Sequence, residues 1–227
     1  MSFPDESPVA VLVSGGLDSA VLVAEALRRS PAVHPLYVRT GLAWENHELA
    51  FLNRFLAAVK TPALRELHVL DLPVGDLYGE HWSLSGEGVP DANSEDEAVF
   101  LPGRNVLLLA KAMLWCHLRQ VPTLALGILH ANPFPDATPH FFCAYQDAVN
   151  EAVGGRVRVL RPYSGLTKAE VIRRADGVPL ELTLSCLRPI QGRHCGRCNK
   201  CAERRRAFRA AGRADVTAYD QESACSE

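Results

Sequence analysis

Val9-Ala10-Val11-Leu12-Val13-Ser14-Gly15-Gly16-Leu17-Asp18-Ser19-Ala20-Val21-Leu22 is the stretch whose reading decides the fold. Residues 9–13 are a short, β-branched apolar run that ends in a glycine pair. Residues 19–28 then carry Val21, Leu22, Ala26 and Leu27 at helical spacing, so the order is strand, loop, helix. A glycine-rich turn at the end of a buried strand lets backbone N–H groups approach an anion, and the next helix aims its positive end at the same spot. Gly15 and Gly16 keep side chains out of the way, and the hydroxyls of Ser14 and Ser19 add donors. No Gly-Lys-Ser/Thr follows, so this is not a Walker loop. Asp18 beside phosphates calls for a divalent cation between them, which points to Mg²⁺. The competing reading is a plain tight turn with Asp18 or Ser19 as helix cap; the motif's place between strand and helix favours the phosphate site.

Outward from this loop the alternation continues. Residues 33–39 read as a second strand, 45–59 as an amphipathic helix, and 64–70 as a third strand. Residues 73–96, rich in Gly, Asp, Ser and Pro, are expected to be one long loop facing the active site. Residues 105–118 are apolar nearly all round and suit a helix buried against a sheet, with 123–128 as a buried fourth strand. A helix over 139–153, a strand over 156–160 and a short helix over 167–174, capped by Thr167, complete the pattern. Repeated strand–helix units predict a doubly wound, parallel five-stranded α/β sheet with ligands at the carboxyl ends of its strands.

The 227 residues suffice for one such domain, expected over 1–180, with a small metal-stapled module over 181–214, a basic helix over 199–211 and a frayed tail over 215–227. Apolar residues at 48% and charged residues at 22% describe an ordinary globular chain, and a net charge of −2 supplies no field for gathering nucleic acid. The N-terminal segment has no basic leader, and no run of apolar residues reaches membrane-spanning length, so a cytoplasmic protein is expected. In a reducing compartment, clustered cysteines bind metal more often than they pair as disulfides.

Cys186, Cys195, Cys198 and Cys201, spaced C-x₈-C-x₂-C-x₂-C, supply four thiolates for a tetrahedral, structural Zn²⁺. An iron–sulfur cluster competes for the same ligands. Lys200, Arg193 and Arg197 offset the thiolate charge in this reading, and His194 stands beside the site rather than in it. Cys116 and Cys143 are expected to be small core residues, and Cys225 has no assigned role.

The Ser-Gly-Gly-x-Asp-Ser pattern resembles the loop of the ATP-pyrophosphatase superfamily, whose fold is adenine-nucleotide α-hydrolase-like. Together with the cysteine spacing, the chain resembles the 7-cyano-7-deazaguanine synthase family. Phe100-Leu101-Pro102-Gly103-Arg104-Asn105 is similar to that family's Pro-Gly-Arg-Asn element, Leu166-Thr167-Lys168-Ala169-Glu170 to its Thr-Lys-x-Glu element, and Thr183-Leu184-Ser185-Cys186 to its entry to the zinc site. Residues 127–136 occupy its substrate-loop region.

The resemblance implies ATP-dependent conversion of 7-carboxy-7-deazaguanine with ammonia, through an amide, to the nitrile, on the route to deazaguanine nucleosides of tRNA, in a homodimer. It assigns ATP to Ser14, Gly15, Gly16, Leu17, Asp18 and Ser19. Charge stabilisation falls to Asp18, Arg104 and Lys168, and the acceptor to Asn132, Phe134 and Asp136. Two segments depart from the pattern. His130-Ala131-Asn132-Pro133-Phe134-Pro135-Asp136-Ala137-Thr138-Pro139 lacks the family's Cys-Arg pair, and Gly41-Leu42-Ala43-Trp44-Glu45 stands where a His-bearing, Gln-rich helix start is usual. Both touch acceptor recognition rather than ATP handling. An amide-forming ligase with another acceptor or amine, and a non-catalytic nucleotide- or RNA-binding zinc protein using Arg204, Arg205, Arg206 and Arg209, are the other readings.

Overall fold

The computed structural model describes residues 6–130 and 132–220. Residue Ala131 of the substrate-loop segment, Cys225, and the ends of the chain on which the leader and tail readings rest lie outside them. Strand β1 (Val9–Leu12) leads into helix α1 (Leu17–Leu27), and β2 (Val33–Arg39) into α2 (Glu45–Ala58). Strand β3 (His68–Asp71) is followed by two one-turn helices, α3 (Gly75–Tyr78) and α4 (Trp82–Ser85), where a single loop is expected. One turn is too short to show a hydrophobic period, so only tertiary contacts reveal these helices. A 3-10 turn at Asp96–Val99 then leads to α5 (Arg104–Leu118), β4 (Thr123–Ala125) and α6 (Pro139–Val153). Strand β5 (Arg158–Leu160), α7 (Lys168–Arg173) and α8 (Asn199–Ala211) follow.

The five strands are all parallel, in the order β3-β2-β1-β4-β5. The chain winds outward from β1 through β2 to β3, then returns to the other side of β1 for β4 and β5. That reversal opens a crevice beyond the carboxyl ends of β1 and β4, where doubly wound sheets bind ligands. Period-2 alternation divides the core. Val9, Val11 and Val13 pack with α1, α2, α7 and α8 on one face, while Ala10, Leu36 and Leu124 pack with α5 and α6 on the other. Both faces are covered, which is why these strands read as continuous apolar runs.

Helix α5 is buried against the sheet as expected, through Leu109, Ala112, Met113 and Cys116, while Leu114 and Leu118 on its far side are 40% and 73% exposed. Two expectations are corrected. Cys143 is exposed on α6, whereas Cys116 is in the core. Residues 215–220 are not frayed: Tyr219 bridges His194 and donates its hydroxyl proton to Asp215 at 2.6 Å. No helix among the described residues is long and apolar enough to cross a membrane.

Candidate active site

Gly16 is the N-cap residue of α1 and offers no side chain to the first turn, so the amides of Leu17, Asp18 and Ser19 have no acceptor within the helix. They face the crevice, where an anion meets both the amides and the helix dipole. The loop is held by its own hydroxyls. Ser19 Oγ donates to the Gly16 carbonyl at 3.0 Å and accepts from the Ser14 amide at 3.3 Å, and Ser14 Oγ accepts from the Gly16 amide at 3.4 Å. The serines therefore shape the loop first, with Ser19 itself buried. Leu17 is buried in the core cluster at the edge of the crevice.

Gly15 has φ +68°, and a Cβ placed there would lie 2.9 Å from the Glu48 carbonyl oxygen on α2. Gly15→Ala is expected to displace the loop from α2, costing about 1–3 kcal/mol of stability together with nucleotide affinity, as chemical denaturation and calorimetric titration would measure. Gly127, just after β4, approaches from the other side at somewhat longer range: its Cβ would meet Asp18 atoms at 3.2–3.3 Å.

The charged residues converge on this loop from elements far apart in sequence. Lys168 opens α7, and its Nζ lies 3.5 Å from Asp18 Oδ2 and 2.7 Å from Glu203 Oε1 on α8; Glu203 Oε2 accepts in turn from Lys200 at 2.9 Å. Burial alone would lower the Lys168 pKa, but the two carboxylates outweigh it and hold the ammonium above the ordinary lysine range. Burial pushes Asp18 up against the pull of Lys168. Burial also raises Glu203, but Lys168 and Lys200 prevail and hold it at about 2. Asp18 Oδ1 is buried without a hydrogen-bond partner. An unpartnered carboxylate oxygen beside a phosphate-binding loop fits a hard divalent cation.

Arg104 is the first residue of α5, following Gly103 at φ 73°, and its buried Nε likewise has no partner. The next residue, Asn105, is tied to Asp136, and Asp136 supplies both acceptors. Its Oδ2 accepts from the Asn105 amide and its carbonyl from Asn105 Nδ2, both at 2.9 Å, which ties the substrate-loop segment to the start of α5. Asn132 Oδ1 accepts from the Phe134 amide at 3.0 Å and shapes the same segment. Phe134 stacks on Phe100 at 4.8 Å, and Trp44 stacks on Trp82 at 5.8 Å.

These groups surround two connected chambers. A smaller one of about 180 Å³ reaches behind the loop to Tyr37, Glu45 and Glu48. A larger one of about 420 Å³, within the usual range of small-molecule sites, is walled by Trp44, Trp82, Phe100 and Phe134 and takes in Lys168, Asp136 and Glu203. Ser14, Gly16, Asp18, Arg104 and Gly127 line both, so the phosphate loop is their junction.

Glu45, Glu48 and Glu203 are site residues that sequence reasoning missed. Glu45 accepts from the Thr40 amide at 2.6 Å, and Glu48 accepts from Tyr37 Oη at 2.7 Å and Trp44 Nε1 at 3.1 Å. Burial raises the Glu48 pKa to about 7, against Arg104, Tyr37 and Trp44. The folded chain therefore keeps a proton that the unfolded chain loses above the ordinary value of 4.5, so stability falls as pH rises from 4.5 to 7. Glu48→Gln is expected to remove that fall, on the order of 2–3 kcal/mol, in urea titrations across the interval.

The four thiols of Cys186, Cys195, Cys198 and Cys201 are buried, with sulfurs within 4.8 Å of one another. A tetrahedral zinc with bonds of about 2.3 Å sets its sulfurs about 3.8 Å apart, close to the 4.0 Å of the Cys195–Cys201 and Cys186–Cys198 pairs. A polynuclear cluster would hold its thiolates farther apart. Amides of Arg188 and Cys195 donate to Cys186 Sγ at 3.3 and 3.2 Å, hydrogen bonds that stabilise a thiolate and orient it toward a metal. His194 is buried, its pKa pushed down to about 3 by that burial, and its neutral Nε2 accepts from the Ser185 amide at 3.0 Å. The module touches the loop directly, through the Leu184 amide on the Gly15 carbonyl at 2.8 Å.

Arg204 is not a surface cation. It is 1% exposed and donates to Thr183, Ser185 and Thr217 hydroxyls and to the Leu180 carbonyl. Arg204→Met removes these buried hydrogen bonds and is expected to cost about 3–5 kcal/mol by denaturant unfolding.

Comparison with known proteins places these features in context. Residues 8–212 match the family model described as queuosine biosynthesis protein QueC. A 7-cyano-7-deazaguanine synthase of Thiobacillus denitrificans is 35% identical over 92% of this chain and 96% of its own. A protein of the same name from Pseudomonas fluorescens is 30% identical over 95% of this chain and 99% of its own. Among solved structures, a 4-thiouridine synthetase–RNA complex with bound ATP aligns with TM-score 0.51 at 16% identity, over 93% of this chain and 52% of that one, a likeness of fold.

Proposed function

The chain belongs to the QueC family of queuosine biosynthesis proteins, and on that premise we propose that it spends ATP to activate the carboxylate of 7-carboxy-7-deazaguanine for attack by ammonia. The observation that carries this reading is the junction: one phosphate loop, with Asp18, Lys168 and Arg104, opens into two chambers. Nucleotide and acceptor can thus approach the loop from different sides. A carboxylate oxygen of the acceptor attacks the α-phosphorus, and the bond to pyrophosphate breaks. Ammonia then attacks the acyl carbon, AMP leaves, and an amide results. Activation of the amide oxygen in the same way lets AMP carry that oxygen off, leaving the nitrile.

The chain's own groups have distinct parts in this sequence. The first-turn amides of α1 bind phosphate oxygens, and Lys168 and Arg104 meet the charge that develops on the α-phosphate and departing pyrophosphate. The aromatic walls take a planar base and exclude water from the acyl intermediate. Asp18 would hold Mg²⁺, which neutralises phosphate charge when bound. The four cysteines would hold a structural Zn²⁺, with residues 1–180 forming the catalytic domain and 181–214 the metal module.

Mass spectrometry of products from ATP, ammonium and 7-carboxy-7-deazaguanine tests the reaction. A nitrile, one water lighter than the amide, is expected; no turnover would sink the reading. Amide alone would favour the second reading, an amide-forming ligase.

A further inference from the structure

We propose that Glu203 is the positioning residue of this site: it holds the Lys168 ammonium over Asp18 and the phosphate loop, and it is carried there by the helix that also carries two of the four clustered thiols. For the reaction itself this rests on the function proposed above. The backbone of Lys168 is well fixed, because Thr167 and Glu170 form a reciprocal capping box at the start of α7. Its side chain is not fixed by that. Four rotatable bonds separate the ammonium from the backbone, and a lysine head is a mobile point charge unless something grips it. The Asp18 contact, at 3.5 Å, is loose, whereas the Glu203 contact is 2.7 Å. With Lys168 18% and Glu203 23% exposed at the side chain, protein groups rather than water set the geometry.

Glu203 is itself well placed for this work. Its second oxygen accepts from Lys200 at 2.9 Å, so the carboxylate that grips Lys168 is neutralised from behind and does not face incoming polyphosphate as a bare negative charge. It lies two residues after Cys201 on α8, whose N-cap residue is Cys198. The same helix end is clasped on its other side, where Asn199 donates from its amide to Pro90 O at 2.9 Å and from Nδ2 to Ser94 O at 2.7 Å. The position of Glu203 is therefore set by the cysteine cluster at one end and by α7 packed along the helix, and Lys168 inherits that position.

A double-mutant cycle tests this. Because Glu203 acts through Lys168, Glu203→Gln is expected to lower kcat for pyrophosphate release about tenfold with the KM for ATP within about threefold, and Lys168→Ala to lower kcat about a hundredfold. The double variant should then match Lys168→Ala within about twofold, since there is no ammonium left to position. Multiplied losses, about a thousandfold, would mean that Glu203 acts elsewhere and would overturn the proposal. An activity-free measurement accompanies the kinetics: crystal structures of the parent chain and Glu203→Gln, in which the Lys168 Nζ should leave its place beside Asp18. An unmoved Nζ would overturn the proposal whatever the rates. Should Glu203→Gln fail to fold, Glu203→Asp keeps the negative charge but draws the carboxylate back by one methylene from the 2.7 Å contact with Lys168, and a kinetic and structural loss of the same direction is expected. If the parent chain releases no pyrophosphate, the function proposed above fails, and the crystal structures still decide the role of Glu203.

Discussion

Asp18→Asn should fold as well as the parent chain and lose pyrophosphate release by about a thousandfold or more. Both halves follow from the same surroundings. Burial already raises the Asp18 pKa, so removing its charge relieves a desolvation penalty, while Glu203 still pairs with Lys168. Its unpartnered Oδ1 is the feature that fits a cation at the phosphate loop, and an asparagine oxygen is a weaker ligand without a negative charge. A coupled pyrophosphate assay, with thermal melting as the fold control, measures both. Activity within tenfold of the parent would remove Asp18 from the mechanism.

Cys201→Ser is expected to have the largest effect on stability. Four buried thiols within 4.8 Å of one another repel as thiolates and leave a polar void unless a metal joins them. Structural zinc contributes on the order of 10 kcal/mol of folding free energy in small modules. Loss of even half of that should lower the melting temperature of a chain this size by at least about 10 °C. Elemental analysis should find about one zinc per parent chain and almost none in the variant. Iron in its place would overturn the zinc assignment. The loss should also reach the phosphate loop, because Leu184, two residues before Cys186, donates to the Gly15 carbonyl.

Much of this was legible before any tertiary contact was known. The strand–loop–helix at residues 9–28 is a local pattern: an apolar run, two glycines and a helical period specify it without help from distant residues. The span of α8 matches the basic run read from the sequence, because its cap and closing glycine are local too. The cysteine spacing is likewise enough to bring four thiols together. Helices α3 and α4 were not legible, since four residues cannot carry a period. Arg204 was misread because a run of three arginines looks the same whether one of them turns inward to Thr183 and Thr217 or all face water.

The alternating architecture, the glycine-rich loop and the cysteine spacing are thus written in residues close together along the chain. Which charges meet at that loop follows from long-range packing alone. Lys168, Glu203, Asp18 and Arg104 come from four separate helices, and their convergence depends on the strand order that places β1 and β4 side by side. A carboxylate such as Glu203 carries no local mark of its role, because what makes it functional is the buried ammonium 2.7 Å away on another helix.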